Sequence, residues 1–248
     1  MSLPGIVTGL ESEAAIVRKH APSGFNHDLI ACDGPGPDMA RRAALALIDK
    51  DVGGLISFGY AGGIDRVARA GDLVIANEIR LGRDDTRPCE PIWSDALAAI
   101  FIRLGQVHRA PIAASEEIVA TASEKMKLRY TTAAVATDME SFAVADVAAE
   151  AGLPFVTLRA VIDTHDQDLP PMAIEAAGPD GRLKLWNILW SLITNPGQIP
   201  KLGPLTRNSK QADRTLMRTC RKAGTGFALP DYRSVLIRQL RGTGPFRS

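Results

Sequence analysis

The segment 134-AVATDMESFAVADVAAEAGLPFVTLRAVIDTHD-166 decides how the chain is read, because it joins a helix to a buried strand and places acids at the edges of both. Met139, Phe142, Ala143 and Val147 fall at helical spacing, Gly152 suits the position just past a helix, and Pro154 blocks continuation. Phe155 to Ile162 is a nearly unbroken apolar run with β-branched residues, bounded by Pro154 and by Asp163-Thr164-His165-Asp166. Such a run predicts a strand covered on both faces. Ligands of open α/β sheets bind beyond the carboxyl ends of their strands, and Asp163 stands at that end. Taken alone, Glu140 is a first-turn carboxylate favoured by the helix dipole, and Asp163 is equally the cap of a turn.

Two other segments bear on the choice. Gly5-Ile6-Val7-Thr8-Gly9-Leu10-Glu11-Ser12-Glu13 is a short apolar strand running into a glycine and then acids. Leu55-Ile56-Ser57-Phe58-Gly59-Tyr60-Ala61-Gly62-Gly63, followed by Ala70-Gly71-Asp72-Leu73-Val74-Ile75-Ala76, predicts strand, glycine-rich turn, short connection and strand. Glycines after a strand let backbone N–H groups approach an anion or a sugar. The spacing is neither a dinucleotide-binding fingerprint nor a P-loop. Glycines at 9, 53–54, 62–63 and 152 punctuate alternating strand and helix signals, which argues for α/β layers.

Together the three segments resemble the purine nucleoside phosphorylase and 5′-methylthioadenosine nucleosidase superfamily. Its members carry G-I followed at a distance by E, then G-x-A-G-G with a later G-D-[ILV]-V, then M-E and R-A-[IV]-x-D, and all three occur here in order. The resemblance spans about residues 3 to 195 and is greatest to the hopanoid-associated phosphorylases. It implies a three-layer α/β/α fold with a twisted mixed central sheet, and cleavage of the N-glycosidic bond of a 5′-substituted adenosine. Phosphorolysis of adenosylhopane is the first expectation, and hydrolysis of 5′-methylthioadenosine or S-adenosylhomocysteine is the alternative. A non-catalytic nucleoside-binding protein of the same fold is the third.

By the same resemblance Asp163 serves the purine N7, Glu140 binds the ribose hydroxyls with Met139 against the sugar face, and Glu13 orients the nucleophile. Such chemistry needs separate partners, since the sugar becomes positive as the base leaves with negative charge. Ile118 offers backbone contacts to the base, beside Glu117 where relatives stack an aromatic ring, and Tyr60 and Gly62 line the substrate. Departures concern the nucleophile and the acid. Ser57 and Tyr60 stand where phosphorylases place arginine and serine, leaving Gly59, Arg41 and Arg42 as phosphate ligands. Read without the resemblance, the arginines are exposed residues of a helix over Asp38 to Asp49. Ile162 replaces a small polar residue before Asp163. No cofactor is implied beyond inorganic phosphate as co-substrate.

The 248 residues, 46% hydrophobic, can bury one substantial core. Cys32, Cys89 and Cys220 are odd in number and lack histidines at zinc spacing, so neither a disulfide framework nor a metal site is expected. No signal segment or stretch long enough to span a bilayer is read, so a cytoplasmic protein is expected. Of the histidines only His165 falls near the predicted site. Residues 201–248 carry 11 Lys or Arg against 2 acids, whereas residues 1–200 carry 18 against 26. This divides the chain into a domain over 1–200 and a basic arm over 201–248. The arm suits acidic surface of its own subunit or an anionic lipid surface at the inner membrane; few aromatics and no recognisable module argue against nucleic acid. Leu185, Trp186, Leu189, Trp190 and Ile193 make a helical stripe, either a last packing helix or a wall for a lipid tail, and 168–172 suits a loop over the pocket mouth. The family also builds homo-oligomers.

Overall fold

The computed structural model describes residues 3–169 and 203–232. Ten strands form one mixed sheet: β1 Gly5–Val7, β2 Ile30–Ala31, β3 Leu55–Gly63, β4 Leu73–Ile75, β5 Glu78–Leu81, β6 Asp85–Pro88, β7 Val107–His108, β8 Ile112–Ala114, β9 Ala136–Asp138 and β10 Phe155–Asp163. They run in the order β6-β5-β8-β9-β3-β10-β4-β7, with β1 lying on β3 and β2 on β1. Helices α1 Glu11–His20, α2 Pro37–Ile48, α3 Pro91–Phe101, α4 Ala122–Thr132, α5 Ser141–Glu150 and α6 Gly203–Lys222 flank it. The α/β architecture is thus the one expected.

The predicted central strand is β10, and every one of its residues is buried. It pairs in parallel with β3 over nearly its whole length and antiparallel with β4, so both edges are satisfied. Full burial of side chains such as Val156, Leu158 and Val161 is worth about 1.5–3 kcal/mol each. Near its end the register slips: Val161 faces Ala61, but Asp163 faces Gly62. Ile162 is therefore the extra residue of a β-bulge, and a bulge re-aims the side chains beyond it. Ile162 joins the hydrophobic core, and Asp163 closes the strand.

Two expectations need correction. The helix begins at Ser141 with Glu140 as its N-cap, because 136–138 is already strand β9. Its core face is Val144, Ala145, Val147 and Ala148; Met139 precedes the helix and stands half-exposed outside the core. The C-terminal signals hold: Gly152 has φ +65°, and Leu153 N–H donates to Ala148 O at 2.8 Å. Second, Gly59–Gly63 is the second half of β3, where a turn was predicted. β10 covers one edge of β3 throughout. On the other edge β1 pairs with Leu55–Ser57 and β9 with Gly62–Gly63, which opens a gap at 58–61.

The first half of the basic arm is helix α6, which packs on β10 and α1. Ala212, Leu216 and Cys220 are buried in the common core. Thr215 Oγ1 donates to Gly71 O and Trp93 Nε1 to Phe227 O. Arg207, Lys210, Arg214, Arg218 and Arg221 recur on its exposed face. The tryptophan stripe at 183–193, the loop beyond residue 169 and the last residues of the arm lie outside the described residues.

Candidate active site

Glu13 enters the gap in the edge of β3. It sits in the first turn of α1, just after β1, and its carboxylate turns back over the strand ends. Oε2 accepts from the N–H groups of Gly9 and Leu10 at 3.0 and 2.9 Å, and Oε1 accepts from Tyr60 N–H at 2.8 Å. The residue is buried, unlike the solvated helix-start acid that an isolated glutamate suggests. Burial raises its pKa to about 8, against the pull of the Arg159 guanidinium. The absence of a side chain at 59 makes room for this: a Cβ there would stand 2.2 Å from Glu13 Oε1 and 2.7 Å from Arg159 Nη1.

Arg159 is the one basic residue of β10, and its side chain is 1% exposed. Nε meets Asp138 Oδ2 at 2.7 Å, Nη2 meets Ser57 Oγ at 2.7 Å and Glu140 Oε2 at 3.3 Å, and Nη1 donates to Tyr60 O. Burial works against its charge, but Asp138, Glu140 and Glu13 outweigh it and push its pKa up. Ser141 Oγ donates to Asp138, and Ser141 N–H to Asp138 Oδ1. Glu140 accepts from Gly36 N–H at 3.1 Å, so the start of α2 also faces it. Burial raises the Glu140 pKa as well, opposed by Arg159. Three buried carboxyl groups thus surround one guanidinium, and those that are ionised supply negative potential suited to a developing cation.

Asp163 stands at the carboxyl end of β10, buried, with its pKa raised by burial and drawn down by Lys125. Lys125 Nζ lies 2.7 Å from Asp163 Oδ2. Asp163 Oδ1 has no hydrogen-bond partner among the described residues. Gly62 lies against it, and a Cβ at 62 would come within 3.0 Å of that oxygen. Met139 is half-exposed between buried Asp138 and Glu140.

Other predicted residues go elsewhere. The Tyr60 hydroxyl donates to Asp213 Oδ1 of α6 at 2.5 Å. Arg41 pairs with Glu150 and Arg42 with Asp33, each at 2.8 Å on the surface. Ser57 is engaged by Arg159. Glu117 and Ile118 line a shallow pocket of about 270 Å³ with Leu128 and Thr131. His165 lines a separate surface groove with Asp65 and Tyr130. Among the described residues no cluster of His, Cys, Asp and Glu could hold a metal ion, and no helix is long and apolar enough to cross a membrane.

Sequence reasoning assigned no role to Arg159, Asp138 or Lys125. An arginine inside an otherwise apolar strand was the available signal for the first, since a buried charge must be paired. Lys125, on a helix of mainly polar residues, carried no such signal.

Comparison with known proteins agrees with this fold. Among solved structures the chain is similar to the futalosine hydrolase of Helicobacter pylori, with 14% identity, TM-score 0.65, and 88% of this chain and 95% of that one covered. It is also similar to the S-adenosylhomocysteine nucleosidase of Streptococcus pyogenes in complex with 5-methylthiotubericidin, with 18% identity, TM-score 0.62, and coverage of 89% and 97%. The 5′-methylthioadenosine/S-adenosylhomocysteine nucleosidase of Colwellia psychrerythraea, in complex with adenine, matches with 20% identity, TM-score 0.61, and coverage of 89% and 96%. At these identities it is the TM-scores that show a common fold. The profile of the Phosphorylase superfamily matches residues 6–194, which is most of the chain, and the protein therefore belongs to that superfamily.

Proposed function

We propose that this enzyme cleaves the N-glycosidic bond of a 5′-substituted adenosine, releases adenine, and uses water as the nucleophile. The observation that carries the reading is the convergence of Glu13, Glu140 and Asp138 on Arg159 at the open edge of β3, with Asp163 at the end of the adjoining strand. Glu140 accepts hydrogen bonds from the ribose hydroxyls, which strengthen as the ring becomes positive. Asp163 gives its proton to N7, so the base leaves neutral. Glu13, whose pKa is pushed up to about 8, is a stronger base than a solvated glutamate, and its ionised form takes a proton from the attacking water. Met139 lies against the sugar face.

Water is favoured over phosphate by the pairing of Arg41 and Arg42 with Glu150 and Asp33, and of Ser57 with Arg159. The solved relatives are named as a futalosine hydrolase and as S-adenosylhomocysteine nucleosidases, which supports the same choice. A second reading, phosphorolysis of adenosylhopane at a membrane surface, draws support from the exposed cationic stripe of α6, which suits anionic lipid. A screen of 5′-substituted adenosines for adenine release, with and without phosphate, tests both. Release in phosphate-free buffer, yielding a free sugar, is expected; release only with phosphate would favour the second reading. No release from any nucleoside would leave a binding protein of this fold.

A further inference from the structure

We propose that Lys125 is a positioning residue for Asp163: its ammonium holds one carboxyl oxygen, turns the other toward the departing base, and stabilises the negative charge left when the proton has gone. The proposal rests on the glycosidic-cleavage reading above.

The sequence around Lys125 reads as a solvated helix. The start of α4 is fixed by a capping box, in which Glu124 N–H donates to Thr121 Oγ1 while the Glu124 carboxylate accepts from Thr121 N–H. Ala122 N–H is held by Asp168. This places the next residue inward, and the Lys125 side chain is 0% exposed. A buried ammonium persists only where its protons are matched. Lys125 has three and three acceptors: Asp163 Oδ2 at 2.7 Å, Thr164 O at 2.8 Å and Gln167 O at 3.0 Å. The lysine therefore clamps the carboxyl group and the loop after β10 at once.

The same clamp leaves Asp163 asymmetric. Oδ2 is taken, whereas Oδ1 is buried without a partner among the described residues. In a site whose other carboxylates are matched, an orphan acceptor beside Gly62 is the atom that meets the ligand. Ile162 cannot orient the carboxyl group, since it is the apolar bulge residue, so the orienting donor comes from α4, 38 residues earlier in the chain.

The proton balance assigns the lysine its part. Asp163 begins as the acid with its proton on Oδ1. As C1′–N9 breaks, the bond's electron pair passes into the purine and N7 takes the Oδ1 proton. The carboxylate so formed faces the Lys125 ammonium, which keeps all three protons. Water adds to C1′ and loses a proton to ionised Glu13, which then releases it to solvent while Asp163 takes one up. A cation beside the carboxyl makes Asp163 a stronger acid.

Lys125→Met and Lys125→Gln test this when kcat and KM are followed from about pH 5 to 9, alone and in the Asp163→Asn background. Both variants lose the charge, and the glutamine, one atom shorter than lysine, keeps a donor should methionine impair folding. The expected result is a fall in kcat of about ten- to a hundredfold at neutral pH with KM within about threefold. The alkaline limb, where Asp163 ionises, should move up by about one pH unit, because removal of the cation favours the protonated acid. Both effects should vanish in Asp163→Asn. Equal losses at every pH, or in both backgrounds, would overturn the proposal. Titration of the Asp163 carboxyl carbon by NMR reads the same coupling without turnover: an upward shift in the variants supports it, and superimposed curves overturn it. If the unmodified protein releases no base yet the titrations differ, the cleavage reading fails while the coupling stands; if both variants turn over normally, only the Lys125 proposal fails.

Discussion

Arg159 and Asp138 meet at 2.7 Å with 1% of each side chain exposed, which makes this ion pair the buried anchor around which Glu140 and Glu13 collect. Desolvation nearly cancels the attraction in such a pair, yet removing one partner strands the other. Arg159→Met is therefore expected to destabilise the fold by about 3–5 kcal/mol. Urea unfolding followed by circular dichroism checks it. A loss below about 1 kcal/mol would show that the three carboxylates do not depend on the guanidinium.

Glu13 carries a pH signature. Its pKa is about 8 in the folded chain against an ordinary value of 4.5, so between those limits the folded state holds a proton that the unfolded state has lost. Its stabilising contribution is full below about pH 4.5 and disappears as pH rises through about 8. Glu140 and Asp163, both raised by burial, act in the same direction. Thermal midpoints of the unmodified protein should fall over that window, and Glu13→Gln should flatten the slope while lowering kcat by about 10²–10⁴-fold. An unchanged slope in the variant would mean that Glu13 is ionised throughout.

Gly59 tests the close packing of the site. Gly59→Ala puts a methyl group 2.2 Å from Glu13 Oε1, so the carboxylate must give up its place on Tyr60 N–H. Overpacking of this kind costs about 1–3 kcal/mol. A displacement of about 1 Å at a reacting group lowers turnover by about a hundredfold. Wild-type kcat in a folded Gly59→Ala protein would remove Glu13 from the catalytic scheme.

The two arginines separate the nucleophiles. Arg41 and Arg42 sit in exposed ion pairs, which are worth about 0–1 kcal/mol. Arg41→Ala and Arg42→Ala should leave the thermal midpoint and adenine release nearly unchanged, with no altered response to added phosphate. A rise in the phosphate concentration needed for half-maximal rate, seen in either variant, would make that arginine a phosphate ligand.

How far the sequence reaches is clear from particular residues. β10 was legible because an apolar, β-branched run between Pro154 and a polar cluster admits few alternatives, and the Gly152 stop was legible because few residues adopt a left-handed φ. Gly59–Gly63 misled, since glycine signals a turn far more often than a strand emptied of side chains to admit a carboxylate. Glu13, Glu140 and Asp163 could be named from the motif, but their surroundings could not. Whether a Lys or an Arg is solvated or buried against an acid is decided by tertiary neighbours, here 38 positions apart for Lys125 and Asp163 and across three elements for Arg159.

The most direct measurement is the fate of a 5′-substituted adenosine such as 5′-methylthioadenosine in phosphate-free buffer made with heavy-oxygen water. Release of adenine with one heavy oxygen at C1′ of the free sugar is the predicted result. Failure to release adenine from any such nucleoside, or formation of a sugar 1-phosphate only when phosphate is supplied, would contradict it.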